Sequence, residues 1–150
     1  MKRFEFRLDS LLNLRRMAED GAKRAFGEAR MAAERQREQA ARTAADEAMA
    51  MRELREAQTG RELRVADLLA HQRHVVAIAR RLAAEKARLG ECEAAAAKAR
   101  EALAAAMKDR KVLDRLRERR AAEWQVEVLK DEQRAIDEAS AASRAAGGSR

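Results

Sequence analysis

The sequence predicts an all-α protein, a two-helix antiparallel coiled-coil hairpin with unequal arms, in which the longer C-terminal helix overhangs the first. Three observations predict this fold. The chain of 150 residues has no proline and only six glycines, so it lacks the turn residues that many short elements require. Charged residues make up 39% of the chain and alanine supplies much of the 47% that is hydrophobic, a composition typical of coiled coils. Apolar residues also recur every seven positions, as they do where two helices share a seam.

The seven-residue repeat is clearest in the second half of the chain. One row of positions is Leu68, Val75, Leu82, Leu89, Ala96 and Leu103. The row three residues later is His71, Ile78, Glu85, Cys92, Ala99 and Ala106. Together the two rows predict one largely apolar seam along the second helix.

A similar repeat in the first half predicts the seam of the first helix. Its two rows are Leu11, Ala18, Ala25 and Ala32, and Leu8, Arg15, Ala22 and Ala29. The repeat fades after residue 32, and the frame shifts near Glu53. If the chain then folds back on itself, Ala18 lies opposite Leu103 and Ala32 opposite Leu89, so that small residues meet large ones.

Gln58-Thr59-Gly60 is the best turn candidate in the interior of the chain, because glycine readily adopts the left-handed backbone that ends many helices. We therefore predict a single domain with helices over about 8–58 and 62–140, a turn at about 59–61 and a frayed tail over 141–150. A parallel dimer of straight helices is disfavoured, because it would leave Gly60 without a role.

The predicted second helix extends past the start of the first from about Leu116. This overhang carries two apolar stripes, Ala121, Trp124, Val128 and Ala135, and Ala122, Val126, Leu129 and Ile136. Trp124 is the only tryptophan, and we expect it to have no partner within the chain. Since aromatic residues are enriched at protein interfaces, it is predicted to be an interface anchor.

No residue pattern predicts catalysis. His71 and His74 have no third metal ligand one turn away, and Cys92 lies on the seam, where it is a small apolar residue. We expect no enzymatic activity, no catalytic residues, no cofactor and no metal. The single cysteine and the absence of a signal sequence or a spanning apolar run favour a cytoplasmic protein.

Basic residues are densest between residues 108 and 120, where they are Lys108, Arg110, Lys111, Arg115, Arg117, Arg119 and Arg120. Interleaved acidic residues and the lack of aromatic residues for stacking argue against nucleic-acid binding. Such a run usually forms a solvated helix face with ion pairs. The other interpretation is that it docks the overhang in an acidic socket of a protein partner.

Both ends of the chain carry a family resemblance. The segments are Phe6-Arg7-Leu8-Asp9-Ser10-Leu11-Leu12-Asn13-Leu14-Arg15, Ala18-Glu19-Asp20-Gly21-Ala22-Lys23, Leu113-Asp114-Arg115-Leu116-Arg117-Glu118-Arg119-Arg120, Glu132-Gln133 and Ile136-Asp137-Glu138. They resemble the FliJ family, the small coiled-coil component of the bacterial flagellar type III export apparatus. The unequal hairpin is also the fold of that family.

The resemblance implies a non-enzymatic stalk. FliJ proteins insert the end carrying both termini into the hexameric export ATPase, promote its assembly and activity, and link it to the export gate protein FlhA and to export chaperones. Applied to this chain, the implied ATPase contacts are Leu11, Leu12, Leu113, Leu116, Arg117, Arg120, Trp124, Leu129, Glu132, Asp137 and Glu138. The implied gate contacts are Gln39, Thr43, Asp46, Val75, Ala79 and Leu82. The implied location is the cytoplasm, at the inner face of the membrane through the export apparatus.

Two other functions remain open at this point. The equivalent stalk of a virulence injectisome would carry a similar sequence pattern. A generic coiled-coil adaptor or nucleic-acid-binding protein would have no effect on any ATPase.

Overall fold

The structure is a computed structural model that describes residues 3–147. Helix α1 is Asp9–Thr59, with 51 residues, and helix α2 is Val65–Gly147, with 83 residues. No strand is present within residues 3–147. The predicted all-α antiparallel hairpin with unequal arms is confirmed.

The chain divides into two compact units, each containing part of both helices. The turn unit is Asp20–Ala104, and the terminal unit contains residues 3–19 and 105–147. In the terminal unit Asp9 contacts Arg117 at 3.5 Å and Arg15 contacts Asp109 at 3.1 Å. Residue numbers therefore fall along α2 as they rise along α1, which is the antiparallel arrangement.

Backbone hydrogen bonds mark where each helix begins. The Leu12 amide donates to the Leu8 carbonyl at 2.9 Å, and the Leu68 amide donates to the Arg64 carbonyl at 3.0 Å. Asp9 and Asp67 lie in the first turns of α1 and α2. Their carboxylates interact favourably with the positive end of the helix dipole.

The seam of α2 is the predicted one. Every position in its two predicted rows, from Leu68 to Ala106, is buried or half-buried. The repeat could be recognised in the sequence because leucine, isoleucine and valine occupy many of its positions in the turn unit.

The seam of α1 matches the prediction only in part: Ala22, Ala29 and Ala32 are half-buried, as predicted. Leu8, Leu11, Arg15, Ala18 and Ala25 are exposed, so the predicted pairing of Ala18 with Leu103 is wrong. The buried and half-buried rows are Leu12, Glu19, Phe26, Ala33, Ala40, Glu47 and Leu54, and Ala22, Ala29, Gln36, Thr43, Ala50 and Ala57. These rows keep one frame up to residue 57, without the predicted shift near Glu53. Glu19 and Glu47 interrupt the observed row, whereas the predicted row that starts at Leu11 contains no charged residue. The predicted row therefore looked more regular.

The link between the helices is longer than predicted and does not use a left-handed glycine. It contains residues 60–64, and no residue within 3–147 has a positive φ. The Thr59 hydroxyl donates to the Arg55 carbonyl at 3.0 Å and so satisfies one of the last carbonyls of α1. Five residues are enough to cross to α2 without strained backbone.

The C-terminal end of α2 is also longer than predicted. The predicted frayed tail begins at residue 141, whereas the helix continues to Gly147. Alanine is the best helix former, and the Ser143 and Arg144 side chains donate to the Ser140 carbonyl at 3.1 and 3.2 Å. The last part of the predicted tail, 148–150, lies outside the described residues.

α2 passes the start of α1 where predicted, because Arg117, next to Leu116, contacts Asp9, the first residue of α1. The uncovered part of α2 starts later. Residues 116, 117, 121, 124 and 128 are half-buried, and every residue over 129–147 is exposed. The reason is that residues preceding α1 pack against α2 at Trp124. We keep the name overhang for the exposed segment, residues 129–147.

The backbone of the turn predicts that Gly60→Ala is tolerated. A Cβ atom at Gly60 would meet only the Glu56 carbonyl oxygen, at 3.4 Å, and alanine restricts the unfolded chain. We expect the free energy of unfolding to rise by about 0.4–1 kcal/mol, measured by urea unfolding. Gly90→Ala, a helix-interior change into open space, is the positive control. A loss of about 1 kcal/mol at position 60 would contradict the structure of the turn.

Candidate functional site

A layer of polar residues interrupts the seam in the turn unit. Glu85 is 6% exposed and Thr43 is 2% exposed. Arg81 Nε donates to Glu85 Oε1 at 3.0 Å, and Gln39 Nε2 donates to the same oxygen at 3.5 Å. Gln36 Nε2 donates to the Glu85 carbonyl at 3.2 Å. The layer belongs to the contact between α1 and α2, and a polar residue at a seam position commonly sets the register of a coiled coil.

The polar layer stabilises the ionised form of Glu85. The Thr43 hydroxyl is the largest cause that lowers the pKa of this carboxyl, and Arg81 and Gln39 add to it. Burial opposes them, because it disfavours the charged form. The net effect holds the pKa of Glu85 below its ordinary value of 4.5.

The residues implied as gate contacts do not form one exposed surface. Thr43, at 2%, and Leu82, at 5%, are buried between the helices. Gln39, Val75 and Ala79 are half-buried, and Asp46 is exposed. Thr43 and Leu82 both lie on the observed seam, so neither side chain reaches a partner while the hairpin is intact.

In the terminal unit a cluster of ion pairs lies at the seam between α1 and α2. Glu19 is 3% exposed and pairs with Arg110, which also pairs with Asp114. Arg16 Nη2 contacts Asp114 Oδ1 at 3.2 Å. Burial raises the pKa of Asp114, but hydrogen bonds from Arg110 and Arg16 outweigh it, and the net pKa is lowered. Sequence reasoning missed Glu19, although its position seven residues after Leu12 was a usable signal.

The basic run of α2 separates into paired and unpaired side chains. Arg110 pairs as above, Arg117 contacts Asp9 at 3.5 Å, and Arg120 contacts Glu123 at 3.1 Å. The remaining four are exposed and form no ion pair within residues 3–147; they are Lys108, Lys111, Arg115 and Arg119. Their spacing of three or four residues places them on one face of α2. We call this set the basic stripe.

The face that carries the basic stripe continues as an apolar stripe. The same spacing leads through Ala122, Val126, Leu129, Gln133 and Ile136, and the three large apolar side chains among them are all exposed. In the other predicted stripe, Ala121, Trp124 and Val128 are half-buried. The stripe available to a partner is therefore the one with Val126, Leu129 and Ile136.

Trp124 has a partner within the chain, contrary to the prediction. The ring centroids of Phe4 and Trp124 are 6.0 Å apart, with 53° between the ring planes, a tilted arrangement favourable for aromatic pairs. Phe6 is buried in the same segment. The prediction failed because it treated the residues before α1 as having no packing role.

The remaining implied ATPase contacts are unequally accessible. Leu12 has no exposed surface and therefore packs the seam. Leu113 and Leu116 are half-buried, and Leu11 is exposed. The exposed members of the overhang are Leu129, Glu132, Asp137 and Glu138. The accessible part of the set thus coincides largely with the overhang.

Neither a metal-binding cluster nor a membrane-spanning helix is found in the part of the chain that the structure describes. Within residues 3–147 no group of three or more His, Cys, Asp and Glu side chains is arranged to hold a metal ion. No helix within the same residues is long and apolar enough to cross a membrane.

A comparison with protein families decides the affiliation. The family described as Flagellar FliJ protein matches residues 4–149. The chain belongs to the FliJ family. The resemblance seen at its two ends is thereby confirmed, and FliJ proteins are non-catalytic components of flagellar type III export. No curated protein matches the chain, and no solved structure matches it.

The aromatic contact of this FliJ chain gives a spectroscopic prediction. Phe4→Ala removes the ring that covers Trp124, so we expect a red shift of the tryptophan emission and faster quenching by iodide. The aromatic pair contributes about 0.5–1.5 kcal/mol beyond its burial. In Phe4→Ala the terminal unit should therefore begin to unfold at a lower urea concentration than in the wild type. Phe26→Ala, the same change on the seam of the turn unit, is the control and should leave the emission of the folded protein unchanged. An unshifted Phe4→Ala spectrum would contradict the contact.

The lowered pKa of Glu85 gives a prediction about acid stability. Its contribution is fully present above pH 4.5 and is lost as the pH falls through the lowered pKa. The difference in melting temperature between the wild type and Glu85→Gln should therefore be larger at pH 7 than at pH 3. Glu93→Gln, which changes an exposed carboxylate bonded to Arg37 at 2.8 Å, is the control. Because an exposed ion pair contributes little to stability, this substitution should change the melting temperature only slightly at pH 7. A constant difference for Glu85→Gln would contradict the assignment.

Proposed function

We propose that this FliJ-family protein is the stalk of the flagellar export ATPase. It inserts the end carrying both termini into the ATPase ring, promotes ring assembly and ATP hydrolysis, and links the ring to FlhA and to export chaperones. It acts in the cytoplasm, at the inner face of the membrane through the export apparatus. The observation that carries the proposal is the outer face of α2 in the terminal unit, where a basic stripe continues into an exposed apolar stripe.

The basic stripe supports docking in an acidic opening. Lys108, Lys111, Arg115 and Arg119 form no ion pair within residues 3–147, so they meet a partner without first breaking internal contacts. Unpaired surface charges accelerate association with an oppositely charged surface, and the effect weakens with salt. They therefore guide the end of the protein towards the ring more than they hold it there.

The apolar stripe supports a tighter contact beyond the basic stripe. Val126, Leu129 and Ile136 are exposed on a preformed helix. Docking them removes apolar surface from water, the main source of affinity in most protein contacts. Because the helix is already ordered, its docking has a lower entropic cost than that of a flexible segment.

We propose that the turn unit carries the contact with the export gate. The resemblance implies contacts at Asp46 and Ala79, and neither is buried. Thr43 and Leu82 are assigned to the helix seam instead, since both are buried there. A substitution at Asp46 is therefore a cleaner test of gate binding than one at Thr43, which also alters the hairpin.

Removal of the overhang tests the ATPase contact. A chain that ends at Val128 retains the seam residues of both helices and the Phe4–Trp124 contact. It should therefore keep its helical circular dichroism per residue. We expect it to lose stimulation of the cognate export ATPase and to stop promoting hexamer formation, as followed by ATP hydrolysis and sedimentation of the ring. Normal stimulation by the shortened chain would overturn the proposed site.

Point substitutions refine the same experiment. Leu129→Asp with Ile136→Asp should raise the concentration needed for half-maximal stimulation by about tenfold or more. Met31→Asp with Met49→Asp, at exposed positions of α1 in the turn unit, is the matched control and should have little effect. If the intact protein neither stimulates nor sediments with the ring, the stalk role is wrong and the adaptor interpretation replaces it.

A further inference from the structure

A second exposed apolar face lies on α2 in the turn unit. Val65, Leu69 and Val76 are exposed. A shallow concavity on this face is lined by Leu69, Gln72, Arg73, Val76, Ala77 and Arg80. None of these six residues belongs to the rows that pack against α1. We call this surface the turn-unit face.

The spacing of the turn-unit face fits a helix. Leu69 and Val76 lie seven residues apart, with Gln72 between them. A seven-residue repeat keeps a row of side chains facing the same partner helix along its length. The lining residues surround a hole on one helix surface, into which a side chain of another helix can insert.

The charge of the turn-unit face specifies the kind of helix. Arg73 and Arg80 line the concavity, no acidic residue does, and neither arginine forms an ion pair in the part of the chain that the structure describes. The complementary partner is an amphipathic helix with apolar side chains seven residues apart and carboxylates beside them.

The overhang of this chain has these properties. Leu129 and Ile136 are exposed and lie seven residues apart, the same separation as Leu69 and Val76. Glu132 and Asp137 flank that row, and Glu132 forms no ion pair within residues 3–147. Every residue of the segment over 129–147 is exposed.

We propose that the overhang of one copy of this protein docks on the turn-unit face of a second copy. Leu129 and Ile136 cover Leu69 and Val76, and Glu132 and Asp137 face Arg73 and Arg80. The two surfaces are different parts of the chain, so the contact is heterologous and joins copies head to tail. One helix face is a small interface, and the association is therefore weak and salt-sensitive. The docking does not depend on the proposed ATPase role.

Charge reversal with exchange tests the proposal on the full-length protein. One variant carries Arg73→Glu and Arg80→Glu, and the other carries Glu132→Arg and Asp137→Arg. Each variant alone places like charges on both surfaces, and we expect its self-association to weaken by about tenfold or more relative to the wild type. An equal mixture of the two variants again pairs opposite charges, so association should return only in the mixture. Sedimentation velocity over a range of protein concentrations, at low salt and at 0.5 M NaCl, measures all three samples.

The control is Arg24→Glu with Arg35→Glu, which makes the same change in charge on exposed residues of α1 in the turn unit. It should associate like the wild type. Circular dichroism of every variant verifies that the helices are intact. The proposal is overturned if the wild type is monomeric at all concentrations, if the control weakens association as much as Arg73→Glu with Arg80→Glu, or if the mixture does not recover. Binding of a monomeric wild type to vesicles of anionic phospholipid, lost on Arg73→Glu with Arg80→Glu, would assign the face to a membrane surface and also overturn it.

Discussion

The whole structure depends on one seam between two helices. In a hairpin each helix has a single neighbour, so only the side chains facing that neighbour are shielded from water. Within residues 3–147 the buried apolar residues are few, and half of them are alanines: Phe6, Leu12, Ala33, Ala40, Ala50 and Leu82. Alanine adds little apolar area at each position. The contact therefore gains its strength from its length rather than from a compact core.

This constraint explains why polar and charged side chains can occupy seam positions. Glu19, Thr43 and Glu85 are buried there, and the two glutamates are bonded to arginines of α2. Paired and hydrogen-bonded charges avoid most of the cost of burial, whereas removing one partner leaves the other charge uncompensated. A polar group at a seam position commonly favours one register of a coiled coil. We therefore expect these layers to favour a single alignment of the two helices.

The same constraint determines what the sequence can reveal. The seam of α2 was predictable because large apolar residues recur in it every seven positions, at Leu68, Val75, Leu82 and Leu89. The seam of α1 was not, because Leu12 is followed in its row by Glu19, while the exposed row from Leu11 reads as an uninterrupted series of apolar residues. The seven-residue spacing from Leu12 through Glu19 to Phe26 was a signal within one helix. What periodicity does not contain is the reason a carboxylate can occupy that position, which is its ion pair with Arg110 on the other helix.

Which residues of the overhang are exposed could be predicted only in part. Composition and spacing located the overhang and its two stripes, but not which stripe is covered. The contact of Phe4 with Trp124 decides that point, and it joins residues far apart in sequence without a periodic signal. The basic run was equally visible, yet its division into paired and unpaired side chains depends on Glu19, Asp9 and Glu123 as partners.

The overhang combines two properties that are rarely found together in an isolated segment. Short helices are marginal in water because the first turn is costly to form, but residues 129–147 extend a helix whose earlier turns are held by the seam. The segment is thus ordered without being covered, and its apolar stripe is ready to dock. The ATPase ring and a second copy of the chain would use the same side chains, Leu129 and Ile136, and so cannot bind them together. Self-association consumes two copies of the free protein, whereas the proposed docking on the ring consumes one, so dilution of the free protein weakens self-association more steeply.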